Sequence, residues 1–191
     1  MLSLAEISHA TYGAWRLALF DAGGMRYFDR SLEGFWRSFR VALLVAPGAI
    51  LLAWLDLADG HAHGGWFRIG AGEVITYVLS WTAFPLAAYY LTQFIGRSER
   101  YLGYITADNW ASVIETALFL VAGAIAHTGI IPKGYAQLVP LAANIAALIY
   151  EWFIARTALN LSRLGALGIV LLAYIIALTI NIAANEVMQV G

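Results

Sequence analysis

The chain contains no cysteine, so it offers no disulfide framework, no thiolate metal site and no cysteine nucleophile. Charge is scarce: Asp, Glu, Lys and Arg make up 12% of its 191 residues. A soluble domain carries about a quarter. The net charge of −1 leaves no basic surplus with which to hold a nucleic acid. A Gly-x-Ser-x-Gly elbow, a His-Glu-x-x-His pair and a phosphate-binding loop are all missing, so nothing argues for an enzyme or a resident cofactor. No internal repeat supports an inverted-repeat transporter. Present instead is apolar mass. Hydrophobic residues make 61% of the chain and mean hydropathy is +0.73, which excludes a disordered or water-soluble protein.

A membrane-spanning helix needs roughly 20 mostly apolar residues. Five segments qualify, at about 38–58, 71–95, 104–126, 135–158 and 166–186. The expected fold is therefore an all-α integral membrane bundle of five transmembrane helices (38–191), preceded by an amphipathic interfacial segment (1–37). Short loops predict that sequential helices pack as antiparallel hairpins. Arg16, Arg26, Arg30, Arg37, Arg40, Arg97, Arg100, Arg156 and Arg163 fall on one side by this topology, and only Arg68 and Lys133 on the other. The positive-inside rule then predicts a cytoplasmic N-terminus and an external C-terminus. Trp36, Trp110 and Trp152 fall near the inner boundary and Trp54 and Trp66 near the outer one, as an aromatic belt would.

The first 37 residues lack an unbroken apolar stretch and carry Asp21, Asp29 and Glu33, unlike a signal peptide. Ser3 and Glu6 have the spacing of a capping box. Leu4, Ile7, Thr11, Ala14, Trp15 and Ala18 fall on one helical face, and Gly23-Gly24 is expected to end that helix. A second helix is expected to start near Asp29 or Ser31 and to run into the first span. Such a segment anchors the first span at the membrane surface, or senses lipid or grips a partner there.

Ionisable groups inside hydrocarbon are costly and call for a reason. Tyr104, Asp108, Ser112 and Glu115 form one stripe on the third span, and Gln137, Asn144 and Glu151, spaced by seven, one face of the fourth. In an antiparallel hairpin turning near Gly129–Lys133, Glu115 shares the depth of Asn144 and Asp108 that of Glu151, with Arg156 about one turn beyond. Two readings follow. The stripes form a proton or cation path with Glu115 as the titrating group. Alternatively they are packing glue, in which a neutral Glu115 bonds to Asn144 while Arg156 neutralises Asp108 or Glu151. Ser80 stands alone within the second span, and Asn181 and Asn185 are further glue candidates on the fifth.

On the other side, Asp56 and Glu73 share a depth in the first hairpin, with Asp59, His61 and His63 between them and His127 in the other outer loop. Imidazoles and carboxylates are ligands for Zn²⁺ or Cu²⁺, so Asp59, His61, His63 and Glu73 are candidate metal ligands; a solvated polar turn is the plainer account. Pro47, Pro85 and Pro140 fall within spans and permit kinks.

The stretch FDRSLEGFWRSF before the first span, and FPLAAYYLTQFIGRSERYLGYITADNW across the second and third, resemble stretches of small bacterial inner-membrane proteins. The layout of the whole chain resembles the Yip family, which has a cytoplasmic amphipathic N-terminal region, five spans and a C-terminus on the far side. The resemblance implies a non-enzymatic protein of the bacterial inner membrane that organises membrane or serves other membrane proteins. Three functional expectations stand at this point. The first is a scaffold or accessory subunit working through helix–helix contacts, with lipid and another membrane protein or a second copy as partners. The second is a small proton- or cation-linked transporter or channel using the intramembrane carboxylates. The third is an outward-facing metal-binding protein.

Overall fold

The computed structural model describes residues 2–58, 66–128 and 130–189, without the side chains of 56–58, 66–67, 133 and 187–189. These residues form seven α-helices and no strand: α1 (Leu4–Ala18), α2 (Leu32–Ser38), α3 (Val41–Ala58), α4 (Trp66–Phe94), α5 (Tyr101–His127), α6 (Leu138–Leu159) and α7 (Arg163–Gln189). Five helices are long and apolar enough to cross a bilayer, the first including α2 together with α3. The chain is a multi-pass membrane protein. Large apolar side chains such as Leu43, Ile50, Val74, Phe94, Ile145 and Ile175 are exposed around the outside of the bundle, where a bilayer rather than water satisfies them.

α5 is the hub. It packs against α3, α6, α1 and α2, while α4 packs chiefly on α7 and α7 also on α6. The hairpin expectation therefore holds for α5–α6 and α6–α7 and fails for the first pair. α3 leans on α5 and is barely in contact with α4, to which the Tyr77 hydroxyl ties it by donating to the Ala42 carbonyl at 2.5 Å. Gly48 explains the lean: a Cβ there would come within 2.6 Å of the Thr116 methyl, so only glycine lets the α3 backbone approach α5 this closely.

The N-terminal segment is part of the bundle. α1 buries Ala10, Gly13, Ala14 and Leu17 against the turn that follows it and against α5 and α6, and the buried Tyr150 hydroxyl donates to the Ala14 carbonyl at 2.8 Å. The face expected from hydropathy is rotated from this one, with Leu4 85% and Trp15 51% exposed. Close approach of two backbones favours the small residues, and the larger apolar ones are left to lipid. Ser3 caps the helix by accepting from the Glu6 amide at 3.1 Å. Glu6 does not close the capping box; it pairs with Arg37 at 3.2 Å. Arg37 also holds Asp29 at 2.7 Å and Glu33 at 2.9 Å, clasping α1, the turn and α2 together.

α1 does not end at Gly23-Gly24. Phe20 takes the left-handed conformation (φ 59°), with Phe20 N–H donating to Leu17 and Asp21 N–H to Arg16, each at 2.9 Å, a Schellman termination. The glycines follow in a 3₁₀ turn (Ala22–Tyr27), where a Cβ on Gly24 would meet the Gly13 carbonyl at 2.5 Å. Asp21 is bound by the Arg16 guanidinium and accepts from the Gly23 amide at 2.8 Å, which holds its carboxyl below the usual value of 3.8. α4 ends on Gly96 (φ 66°) and α6 on Asn160 (φ 52°) in the same manner. α2 begins after Ser31 as expected, but a break at Phe39–Arg40 separates it from α3. Pro47 and Pro85 lie inside α3 and α4. Pro140 lies in the first turn of α6, where its missing N–H has no intrahelical partner to lose. Trp110 is 2% exposed and belongs to the core rather than the aromatic belt, whereas Trp36 and Trp54 are exposed.

Candidate intramembrane site

The polar stripes of α5 and α6 meet at a cavity. Its volume is about 550 Å³, and all five long helices contribute to its wall. α5 supplies Asp108, Asn109, Ser112 and Glu115, and α6 supplies Asn144 and Glu151. The cavity lies where α3 and α4 stand apart, a gap that their separate partners α5 and α7 hold open.

Asp108, Ser112, Glu115, Asn144 and Glu151 all line one space. Two members of the stripes do not. Tyr104 sits below the cavity in the core, 3% exposed, with its ring edge-on to Phe84. Gln137 lies just before the first residue of α6.

The expected glue contacts are not made. The Asn144 amide donates to the Pro140 carbonyl of its own helix at 3.0 Å and not to Glu115. Arg156 lies over the Trp152 ring at 5.5 Å and pairs with neither Asp108 nor Glu151. Arginine stacks on an indole at the edge of the apolar layer more cheaply than it enters that layer. Among the described residues, Asp108, Glu115 and Glu151 each have neither a hydrogen bond nor an ion pair, and their oxygens keep open surface. The three are near enough to feel one another's charge. The side chains lining the cavity include no arginine, lysine or histidine.

What sequence reasoning missed is the aromatic part of the opposite wall. α4 contributes Tyr77 and Trp81 beside the lone Ser80, and α7 contributes Tyr174 beside Asn181, a glue candidate from the sequence. The spacing was available: 77 and 81 are one helical turn apart, and 174 and 181 lie two turns apart on one face. Asn181, like Asn144, donates to its own helix, at 2.8 Å to Ala177.

The cavity is closed toward the N-terminal end of the bundle. There Ile105, Ala107, Ile154, Ala155 and Leu159 are sealed in the core. Asn109 links this floor to α2, donating to Ser38 at 2.8 Å, and Ser38 donates in turn to the Phe35 carbonyl at 2.7 Å.

Of the candidate metal ligands, Asp59, His61 and His63 lie outside the described residues. Glu73 is half-buried on α4, and the His127 Nδ1–H donates to the Gly123 carbonyl at 2.8 Å. Among the described residues no three His, Cys, Asp or Glu side chains stand close enough to hold one metal ion. No family model, no curated protein and no solved structure matches the chain.

Proposed function

We propose that this protein is a small proton- or cation-linked transporter or channel, with Glu115 as the group that exchanges protons. One observation carries the reading: three carboxylates without partners face a cavity of about 550 Å³ inside the bundle. Carboxylates placed in an apolar layer are costly unless they are neutral or accompanied by a cation. A scaffold would satisfy its polar groups across the helix contact. Asn144 instead bonds to its own helix and Arg156 stacks on Trp152, which favours exchange over glue. The crowding of arginines at the N-terminal end supports placing that end in the cytoplasm, so the cavity floor would face inward.

The test is pH-driven flux in vesicles reconstituted with the parent and with Glu115→Gln. The parent should dissipate an imposed proton gradient, alone or with a co-substrate, and the variant should lose most of that flux. Parent-level flux in the variant would remove Glu115 from the path.

A further inference from the structure

The walls of the cavity differ in chemistry. On the α5–α6 side stand Asp108, Glu115 and Glu151, which when ionised only accept hydrogen bonds. On the α4–α7 side stand Tyr77, Trp81 and Tyr174, with the Tyr77 and Trp81 rings 6.2 Å apart. An acidic wall facing an aromatic one has a specific use. Carboxylates compensate a positive charge, and ring faces attract the same charge through their quadrupole while offering apolar area.

Three alternatives fit less well. A bare proton path through a chain of waters uses the carboxylates but gives no role to the three rings of the facing wall. A small metal cation wants several oxygens converging on one point, and among the described residues no three His, Cys, Asp or Glu side chains converge on one. An anion would meet three carboxylates and no lining base. The volume lies within the range of about 300–1,000 Å³ typical of sites for organic molecules.

We propose that the cavity takes a bulky, hydrophobic organic cation, its charge set against Glu115 and Glu151 and its apolar body against Tyr77, Trp81 and Tyr174. This rests on the proton- or cation-linked reading and names its substrate class. A delocalised organic cation sheds its water more easily than an inorganic ion, so it enters an apolar chamber at lower cost. Each monovalent cation that binds displaces one proton from the carboxylates, and the charge of the chamber is unchanged. The titratable groups around Glu115 are Asp108 and Tyr104 on its own helix and Glu151 and Tyr150 on α6, with Tyr77 on α4 and Tyr174 on α7 lining the same cavity; α3 adds only Val45 and Ala49.

The probe is tetraphenylphosphonium, titrated into the full chain in lipid nanodiscs, with tetraphenylborate as an anion of the same shape. Binding of the phosphonium should saturate and be tighter at about pH 8 than at about pH 5, because protons compete for the same carboxylates. Glu115→Gln and Trp81→Ala should each weaken it about tenfold, and Trp81→Phe, which keeps a ring face, should weaken it less. Matching size-exclusion profiles establish that the variants are folded. The borate should not bind at the site. Absence of saturable phosphonium binding, equal binding of the borate, or affinity untouched by both Glu115→Gln and Trp81→Ala would overturn the proposal. Glu115-dependent proton flux without phosphonium binding would remove this substrate class and leave the transport reading in place. Glu115-dependent phosphonium binding without any flux would keep the site and remove transport.

Discussion

The two halves of the bundle are built differently. At the N-terminal end, α1 and α2 fill the space around the start of α5 and the end of α6, and Leu17, Val41, Ile105, Ile154 and Leu159 are completely buried. Three helices end there in left-handed residues, at Phe20, Gly96 and Asn160, so the terminal carbonyls of α1, α4 and α6 are paired within their own chains. From the level of Asp108 on α5 and Glu151 on α6 toward the other end of the bundle the helices loosen. α3 and α4 part, most side chains face lipid or the cavity, and the carboxylates have no partners. The contrast separates two uses of polar groups in a membrane. In the closed half the larger polar side chains have an address: Asn109 on Ser38, Tyr150 on Ala14, Arg37 on Glu6, Asp29 and Glu33, while the Thr11 and Thr106 hydroxyls are buried without one. In the open half the carboxylates are held for something else to satisfy.

The contrast can be broken most severely at Gly24. A valine there would push against the Gly13 carbonyl and the Leu17 side chain, and should cost about 3 kcal/mol as α1 and the turn that follows it are forced apart. Denaturant unfolding in detergent reads the loss, and parent-like stability would mean that α1 is not docked as described. Tyr150→Phe removes one buried hydrogen bond to Ala14 and should cost about 1 kcal/mol in the same measurement, with faster amide exchange along α1. Glu115→Gln, in the open half, should change stability by less than about 1 kcal/mol, since no packing contact depends on the charge. A loss as large as that of Gly24→Val would turn Glu115 into a structural residue.

The smallest effect expected is on the clasp around α1. Asp21 and Asp29 lie below their ordinary value of 3.8. Asp21 is lowered by the Arg16 hydrogen bond, and Asp29 by hydrogen bonds from Ser31 and by the nearby Arg37 charge. Groups lowered on folding stabilise above the unfolded value, and that contribution fades as pH falls through the folded one. Protection of the α1 amides should therefore be unchanged from neutral pH down to about 4 and decline below it. A decline centred near neutrality would assign the clasp to other groups.

The stripe on α5 and its counterpart on α6 were legible before any coordinates, because polar residues recurring at 4, 8 and 11 positions on an apolar helix have to face protein rather than lipid. The docked face of α1 was not legible. Ranking its faces by hydropathy picks out Leu4 and Trp15, whereas the contact selects Ala10, Gly13 and Ala14 because small side chains let backbones touch. Trp110 misled for a related reason. An indole near a span end suits the lipid interface and a packed core equally well, and only the packing of neighbouring helices on α5 decides between them.

The sequence by itself determined the number of crossings, their approximate limits, the caps at Ser3 and Ser31 and the polar faces of α5 and α6. Each follows from hydrogen bonding and transfer energies within one helix. Only the tertiary structure decided that α3 leaves α4 for α5, that α4 pairs with α7, and that the acidic wall looks across a cavity at Tyr77, Trp81 and Tyr174. Lipid tails and protein interiors are alike in polarity, so hydropathy cannot say which apolar face meets which. That choice falls to shape, and it is made where a glycine lets one backbone close on its neighbour.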